Sequence, residues 1–182
     1  NKRPDILLSG GGGTFLMQIP DDPGAGDWPI MKITHTDYDE QKGIGVGDID
    51  RDGHLDLALG VGVKMTGVEW WRNPGDGSAN WAHHLIGDTV NMTKMLEVAD
   101  INGDGRLDIA ATDSENEDSW IVWFEAPADP IQGGWVRHEV DHGYNGLDSF
   151  SVADMNQDGA PDLVVGETKD RLRLAIYENV GG

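Results

Sequence analysis

A nine-residue acidic pattern that recurs three times along the chain most constrains what this protein can fold into. In each copy, aspartate or asparagine occupies positions 1, 3, 5 and 9, and glycine occupies position 6. The copies begin at residues 48, 100 and 154, so the pattern repeats with spacings of 52 and 54 residues. A near-constant period of this length indicates repeats of one supersecondary unit.

The pattern predicts a calcium site in each copy. Alternate carboxylates in a tight loop converge on one point, where they would repel one another without a cation between them. All-oxygen ligands favour Ca²⁺ over Zn²⁺ or Cu²⁺, and glycine at position 6 turns the carbonyl of position 7 toward the same point. The predicted ligands are Asp48, Asp50, Asp52, His54 and Asp56 in loop 1, Asp100, Asn102, Asp104, Arg106 and Asp108 in loop 2, and Asp154, Asn156, Asp158, Ala160 and Asp162 in loop 3.

The residues after loop 1 exclude a helix–loop–helix calcium site. Such a site needs glutamate at position 12 and a following helix, but position 12 is Leu59 in a short apolar run that reads as a buried strand. A half copy of the pattern begins the chain, with Asn1 at position 5 and Asp5 at position 9. Because Lys2 replaces the glycine and the first half is missing, this half-site is the weakest of the four.

Each repeat unit contains up to four short predicted strands, A to D. Strand A enters the acidic loop, strand B leaves it, and strand C is aromatic. Strand D begins with tryptophan and is predicted over 28–35 in the first unit and over 135–142 in the third. Four strands in a unit of about fifty residues are typical of a β-propeller blade. We therefore predict one all-β domain over 1–182, with about three and a half antiparallel blades. The units span 1–42, 43–94, 95–148 and 149–182, and Trp28, Trp81 and Trp135 are predicted to pack between blades.

The loop D-x-[DN]-x-D-G-x-x-D with its apolar strand resembles the FG-GAP or VCBS repeat, the calcium-binding blade of integrin α-subunit propellers. The stretch WWRNPGDG…WAHHLIG is similar to bacterial and fungal VCBS proteins. The resemblance covers nearly the whole chain and implies a six- to eight-bladed ring with calcium in its loops. We expect the missing blades to come from the rest of a longer parent chain, or alternatively from a second copy.

The charge of the chain limits its partners and its location. The net charge is −20, from 33 acidic and 13 basic residues, which disfavours nucleic acid and anionic membranes as partners. The sequence has no long apolar run, so no membrane insertion is expected. Open calcium loops suit the millimolar calcium outside cells, so we predict a secreted or cell-surface protein, with a periplasmic location as the alternative.

Three residues are candidates for ligand binding at the channel of the ring. Lys42, Lys94 and Asp148 lie six residues before the three loops, where strand A begins next to the channel. The lysines would capture a carboxylated sugar, or they would neutralise the neighbouring acidic loops. We favour neutralisation.

Catalysis is the second function class that the sequence leaves open. His142 and Tyr144 would act as base and acid in β-elimination from a uronic acid, since some proteins with similar propellers are sugar lyases or dehydratases. His84 and His138 occupy equivalent strand-D positions and are predicted to pack, and His35 lies in a connection between blades. The chain is thus either a binding module for a glycan or an extracellular protein, or the scaffold of a lyase or dehydratase for acidic sugars. The sequence does not decide whether it is an enzyme.

Overall fold

The computed structural model describes residues 5–10, 12–24, 26–34, 40–62, 66–114, 118–169 and 172–181. Within these ranges the chain forms fourteen β-strands and one short 3₁₀ turn at Pro130–Gln132.

The strands form four antiparallel sheets that follow one another along the chain. Blade 1 contains β1 (Ile6–Gly10), β2 (Gly13–Met17) and β3 (Ile30–Lys32). Blade 2 contains β4 (Glu40–Gly47), β5 (Asp56–Gly62), β6 (Gly67–Arg72) and β7 (Ala82–Gly87). Blade 3 contains β8 (Thr93–Ala99), β9 (Asp108–Asp113), β10 (Ser119–Glu125) and β11 (Val136–Tyr144). Blade 4 contains β12 (Leu147–Ala153), β13 (Asp162–Glu167) and β14 (Leu174–Tyr177).

This architecture confirms the all-β prediction and the order of the blades. Each sheet is a meander in which strands adjacent in sequence pair with each other, giving three, four, four and three strands. The strand A of each blade packs against the strand A of the next, β4 against β8 and β8 against β12. The sheets do not close into a ring within the described residues, so the ring of six to eight blades stays a prediction.

Two outer strands differ in length from the prediction. Strand D of blade 1 was expected over 28–35 and forms only at Ile30–Lys32, whereas strand D of blade 3, expected over 135–142, extends to Tyr144. Irregular pairing at Ser119/Trp120 and Ile121/Val122 lets β11 follow β10 for these extra residues. Such β-bulges change which face of the sheet a side chain occupies.

The hydrophobic core lies between the blades in three clusters. Blades 1 and 2 bury one cluster that contains Trp81, and blades 2 and 3 bury a second, against which Trp135 packs. These contacts confirm the packing predicted for the two tryptophans. Trp28 instead lies in the irregular segment before β3, where its indole N–H donates to the carbonyl of Pro23 at 3.2 Å.

Glycines on one face of blade 2 allow blade 3 to approach closely. A Cβ atom added at Gly45 would lie 2.6 Å from Cδ1 of Leu96, and one at Gly60 would lie 2.4 Å from the carbonyl oxygen of Thr93. At Gly60 the obstructing atom belongs to the backbone, so only glycine fits there, whereas at Gly45 the ends of the Leu96 and Val98 side chains would have to shift. The glycines therefore fix the spacing of the blades, and with it the positions of the loops that follow each strand A.

Candidate metal sites in the repeated loops

The three acidic loops occupy the same place in consecutive blades. Loop 1 joins β4 to β5, loop 2 joins β8 to β9, and loop 3 joins β12 to β13. The glycine at position 6 has a φ of 91° in loop 1, 84° in loop 2 and 93° in loop 3. This left-handed region strongly favours glycine, which explains why the residue recurs at this position.

The aspartate at position 1 closes each loop on itself. Its Oδ2 atom accepts the backbone N–H of the glycine at position 6. The N···O distances are 3.0 Å for Gly53 to Asp48, 2.9 Å for Gly105 to Asp100 and 3.0 Å for Gly159 to Asp154. This repeated bond points the first carboxylate into the concave side of the turn.

The aspartate at position 9 connects three parts of its blade. Asp56, Asp108 and Asp162 are fully buried, and both oxygens of each accept a backbone N–H. One N–H comes from the second loop residue, at 3.1 Å from Ile49, 3.0 Å from Ile101 and 2.9 Å from Met155. The other N–H comes from the chain just after strand C. It belongs to Asn73 for Asp56, to Ala126 for Asp108 and to Asn179 for Asp162, each at 2.8 Å. The residues that precede these three donors are Arg72, Glu125 and Glu178. Position 9 therefore braces the blade as well as facing the loop.

Burial makes two of these carboxylates, Asp56 and Asp108, difficult to ionise without a counter-charge. Burial, with the nearby Asp50 and Asp52, raises the pKa of Asp56 from 3.8 to about 6, although two backbone N–H groups act in the opposite direction. Burial also raises the pKa of Asp108. The raised pKa means that protonation of Asp56 stabilises the folded chain. This contribution to the free energy of unfolding is fully present below pH 3.8 and is lost as the pH rises through about 6. A bound cation would favour the ionised form.

Loop 1 has the donor set and the unsatisfied oxygen that a metal ion would require. Asp48, Asp50 and Asp56 each offer an oxygen, and these oxygens lie within 4.8 Å of one another. The Oδ1 atom of Asp48 is buried and has no hydrogen-bond partner in the described part of the chain. A buried carboxylate oxygen without a donor is costly, and a hard divalent cation would satisfy it. The residues therefore fit a metal ion such as Ca²⁺.

Loops 2 and 3 present fewer carboxylates to their centres. Asparagine at position 3 replaces one of them, and its amide N–H donates to the aspartate at position 5. The N···O distances are 3.1 Å for Asn102 to Asp104 and 2.9 Å for Asn156 to Asp158. The side chain of Arg106, predicted to contribute only its carbonyl, forms an ion pair with Asp104.

The predicted half-site at the beginning of the chain stays a prediction. Asp5 is exposed, and its Oδ1 atom accepts the backbone N–H of Ile19 at 3.4 Å. Asn1 and Lys2 lie outside the described residues.

Two of the three predicted ligand-binding residues pair with each other. Lys94 of blade 3 places its Nζ atom 3.2 Å from Oδ1 of Asp148 in blade 4, and the hydroxyl of Thr168 donates to Oδ2 of Asp148 at 2.6 Å. These two contacts, with Thr168 the larger cause, lower the pKa of Asp148. Lys94 is thus neutralised by the equivalent position of the next blade. The side chain of Lys42 is exposed on β4.

The structure does not bring His142 and Tyr144 together as an acid–base pair. His142 stacks on Trp120 with ring centroids 4.3 Å apart, and Trp120 packs against the cluster between blades 2 and 3. Tyr144 is buried between blades 3 and 4, where its hydroxyl donates to Asp141 at 3.0 Å and contacts Tyr177. Residues two apart on a regular strand share a face, but the bulge opposite Ser119 and Trp120 separates these two. Burial and Asp141 also raise the pKa of Tyr144, which makes it a weaker acid.

The strand-D histidines have packing roles, as predicted. His84 stacks on Trp70 and His138 on Trp123, with ring centroids 4.6 and 4.2 Å apart. Each is a cross-strand pair between strands C and D of one blade. His35 lies outside the described residues.

A buried carboxylate that the sequence analysis missed lies between blades 1 and 2. Glu69 is fully buried, and it accepts the indole N–H of Trp71 at 2.9 Å. His83 places its Nε2 atom 2.7 Å from the other oxygen of Glu69. The alternation of strand C, which puts Glu69 on the same face as Trp71, was the signal that could have revealed it.

Comparison with protein families gives one result. The family model for the FG-GAP-like repeat matches the chain twice, over residues 48–111 and 100–165. Each match begins at the first residue of an acidic loop, and together they cover more than half of the chain. A comparison with curated proteins finds no significant match. Among the described residues, no helix is long and apolar enough to span a membrane.

Proposed function

Because the chain belongs to the FG-GAP-like repeat family, we propose that it is a calcium-stabilised propeller module of an extracellular protein, which binds a carbohydrate or a protein partner. Its three acidic loops hold structural Ca²⁺ ions. A catalytic metal would be needed once, whereas the same loop occurs in three consecutive blades.

The observation that carries the proposal is the unpartnered, buried Oδ1 atom of Asp48 within a group of three carboxylates. Oxygen ligands on a flexible glycine turn are the chemistry that Ca²⁺ accepts, because it tolerates varied geometry and high coordination numbers. When bound, the ion supplies the positive charge that these carboxylates lack. The chain's own residues set the turn, fix the first carboxylate and brace the ninth.

The extracellular location rests on two considerations. Repeats of this family are typical of extracellular and surface proteins. Calcium is millimolar there, about a hundred times a Kd of about 10 μM, so sites of that affinity would be filled. The net charge of −20 would also be partly offset by the bound ions.

Replacing Asp104 with alanine tests the calcium sites without disturbing the core. Asp104 is exposed, so in chelator we expect a small change in the free energy of unfolding. In millimolar calcium we expect a loss of about 2–3 kcal/mol, the contribution of one ligand present at about a hundred times its Kd. Thermal unfolding of the variant and the wild-type chain, with and without chelator, measures both values.

Asp88→Ala is the matched control, because it removes an exposed aspartate outside the loops. It should behave like the wild-type chain in both conditions. Equal losses for Asp104→Ala in calcium and in chelator would show that this aspartate does not act through a metal.

The positions of the candidate catalytic residues support the proposal of a binding module. The hydroxyl of Tyr144 is buried against Asp141 and Tyr177, so it is not available to protonate a leaving group. We therefore propose no second, catalytic function. The strand-A ends of blades 3 and 4, around the Lys94–Asp148 pair, are the surface that we propose for ligand contact.

Titration with an acidic polysaccharide in millimolar calcium tests this distinction. We expect heat of binding, measured by calorimetry, without the near-ultraviolet absorbance that an unsaturated uronide product would add. Appearance of that absorbance would establish a lyase and refute the binding module. Absence of binding by glycans would leave a protein as the proposed partner.

A further inference from the structure

An arginine from strand C reaches across to loop 1. Arg72 lies at the end of β6, and its Nη2 atom is 2.7 Å from Oδ2 of Asp52, while its Nε atom donates to Asp50. The side chain of Asp50 is only 5% exposed, so this guanidinium is paired with a largely enclosed carboxylate. A planar guanidinium can hold two carboxylates at once, which an ammonium group cannot do in the same geometry.

The equivalent residues of the other blades carry the opposite charge. Equivalence follows from the bonds to position 9, because Arg72, Glu125 and Glu178 each precede the residue whose N–H binds that aspartate. Where strand C has arginine, position 3 of the loop is Asp50. Where strand C has glutamate, position 3 is asparagine.

The side-chain contacts of strand C with the loops also differ between arginine and glutamate. In loop 3, the amide of Asn156 donates to Oε1 of Glu178 at 3.0 Å, in the place of the Arg72–Asp50 pair. In loop 2, Glu125 turns to His138, 2.9 Å away, and Arg106 supplies a positive charge to Asp104. The three loops are therefore alike in backbone but different in their own counter-charges.

We propose that Arg72 is an internal counter-charge for loop 1, which performs part of the cation's electrostatic role. This inference rests on the calcium sites proposed above. Four aspartates occupy loop 1, and Arg72 offsets the one that loops 2 and 3 replace with asparagine. Loop 1 consequently keeps its shape at low calcium, whereas loop 3, which faces Glu178, depends most on the ion.

The variant Arg72→Gln tests the inference, because it removes the charge and keeps an amide donor. We expect its melting temperature to fall in chelator and to recover most of that loss in saturating calcium. Since a nearby positive charge is removed, one calcium site should also bind about tenfold more tightly. Thermal unfolding and calorimetric titration measure the two effects.

Arg137→Gln is the control, since Arg137 is a half-buried arginine that pairs with Glu139 and lies over the Trp120 ring, away from the loops. It should show the same small change in both conditions. If Arg72→Gln fails to fold in chelator, the test uses the double variant Asp50→Asn/Arg72→Glu instead. This variant recreates in loop 1 the Asn156–Glu178 pair of loop 3. The double variant should fold in calcium and show a larger calcium-induced rise in melting temperature than the wild-type chain.

The possible failures are distinguishable. A wild-type chain that binds no calcium would refute the proposed function itself. If the wild-type chain binds calcium, two results would overturn only the role given to Arg72. One is an equal loss of melting temperature for Arg72→Gln in calcium and in chelator. The other is weaker calcium binding by that variant.

Discussion

Replacing Asp108 with alanine is expected to lower the free energy of unfolding by about 4 kcal/mol in chelator, and by more in calcium, where a predicted metal ligand is lost as well. The substitution leaves the buried N–H groups of Ile101 and Ala126 without their acceptor, and each unsatisfied buried donor costs about 1–3 kcal/mol. For a chain of this size the melting temperature should fall by roughly 8–16 °C. Denaturant unfolding in calcium and in chelator measures the loss.

Asp104→Ala is the matched comparison, because it removes an aspartate from the same loop. Asp104 is exposed and Asp108 is fully buried, so only the second substitution should destabilise the chain in chelator. If the two variants were equally stable in chelator, position 9 would act only as a metal ligand, and its role as a brace would be wrong.

The repeat period made the number and order of the blades predictable from the sequence. The acidic loop marks the turn between strands A and B, and the apolar strand after it marks strand B in each unit. The glycine at position 6 also predicted a tight turn in each loop, because glycine adopts backbone conformations that other residues avoid. The predicted partial blades at both ends, with three strands each, are present in the structure.

Contacts between blades could not be predicted in the same way. Lys94 and Asp148 occupy the same position in two repeat units, but equivalence of position does not by itself predict that the two side chains meet between adjacent blades. Within blade 2, Arg72 reaches Asp52 from a different strand, 20 residues along the chain. A periodic pattern places strands within a unit, but side-chain reach between strands and between blades depends on the spacing and tilt of the backbone.

Atom-level roles and irregular pairing were also hidden in the sequence. Position 9 was predicted as a ligand, yet both oxygens of Asp108 accept backbone N–H groups, a role that residue type alone does not reveal. The proposed pairing of His142 with Tyr144 took strand D to end at His142, whereas β11 continues to Tyr144. The bulge in the pairing of β10 with β11 places them on opposite faces, and bulges have no strong sequence signal here.

Removal of calcium is expected to have the largest effect of all. Each site filled at about a hundred times its Kd contributes about 2.7 kcal/mol, so three sites contribute about 8 kcal/mol. At roughly 2–4 °C per kcal/mol, chelation should lower the melting temperature by roughly 15 °C or more. Magnesium should restore little of this loss, because it requires a tighter octahedral shell than these open loops offer.

The melting temperature of the wild-type chain in millimolar calcium and in excess chelator is therefore the most direct measure of the proposed calcium sites. Structural calcium in three loops predicts a large fall in chelator that added calcium reverses. Equal melting temperatures in the two conditions would contradict it, because the acidic loops would then be stable without a metal ion.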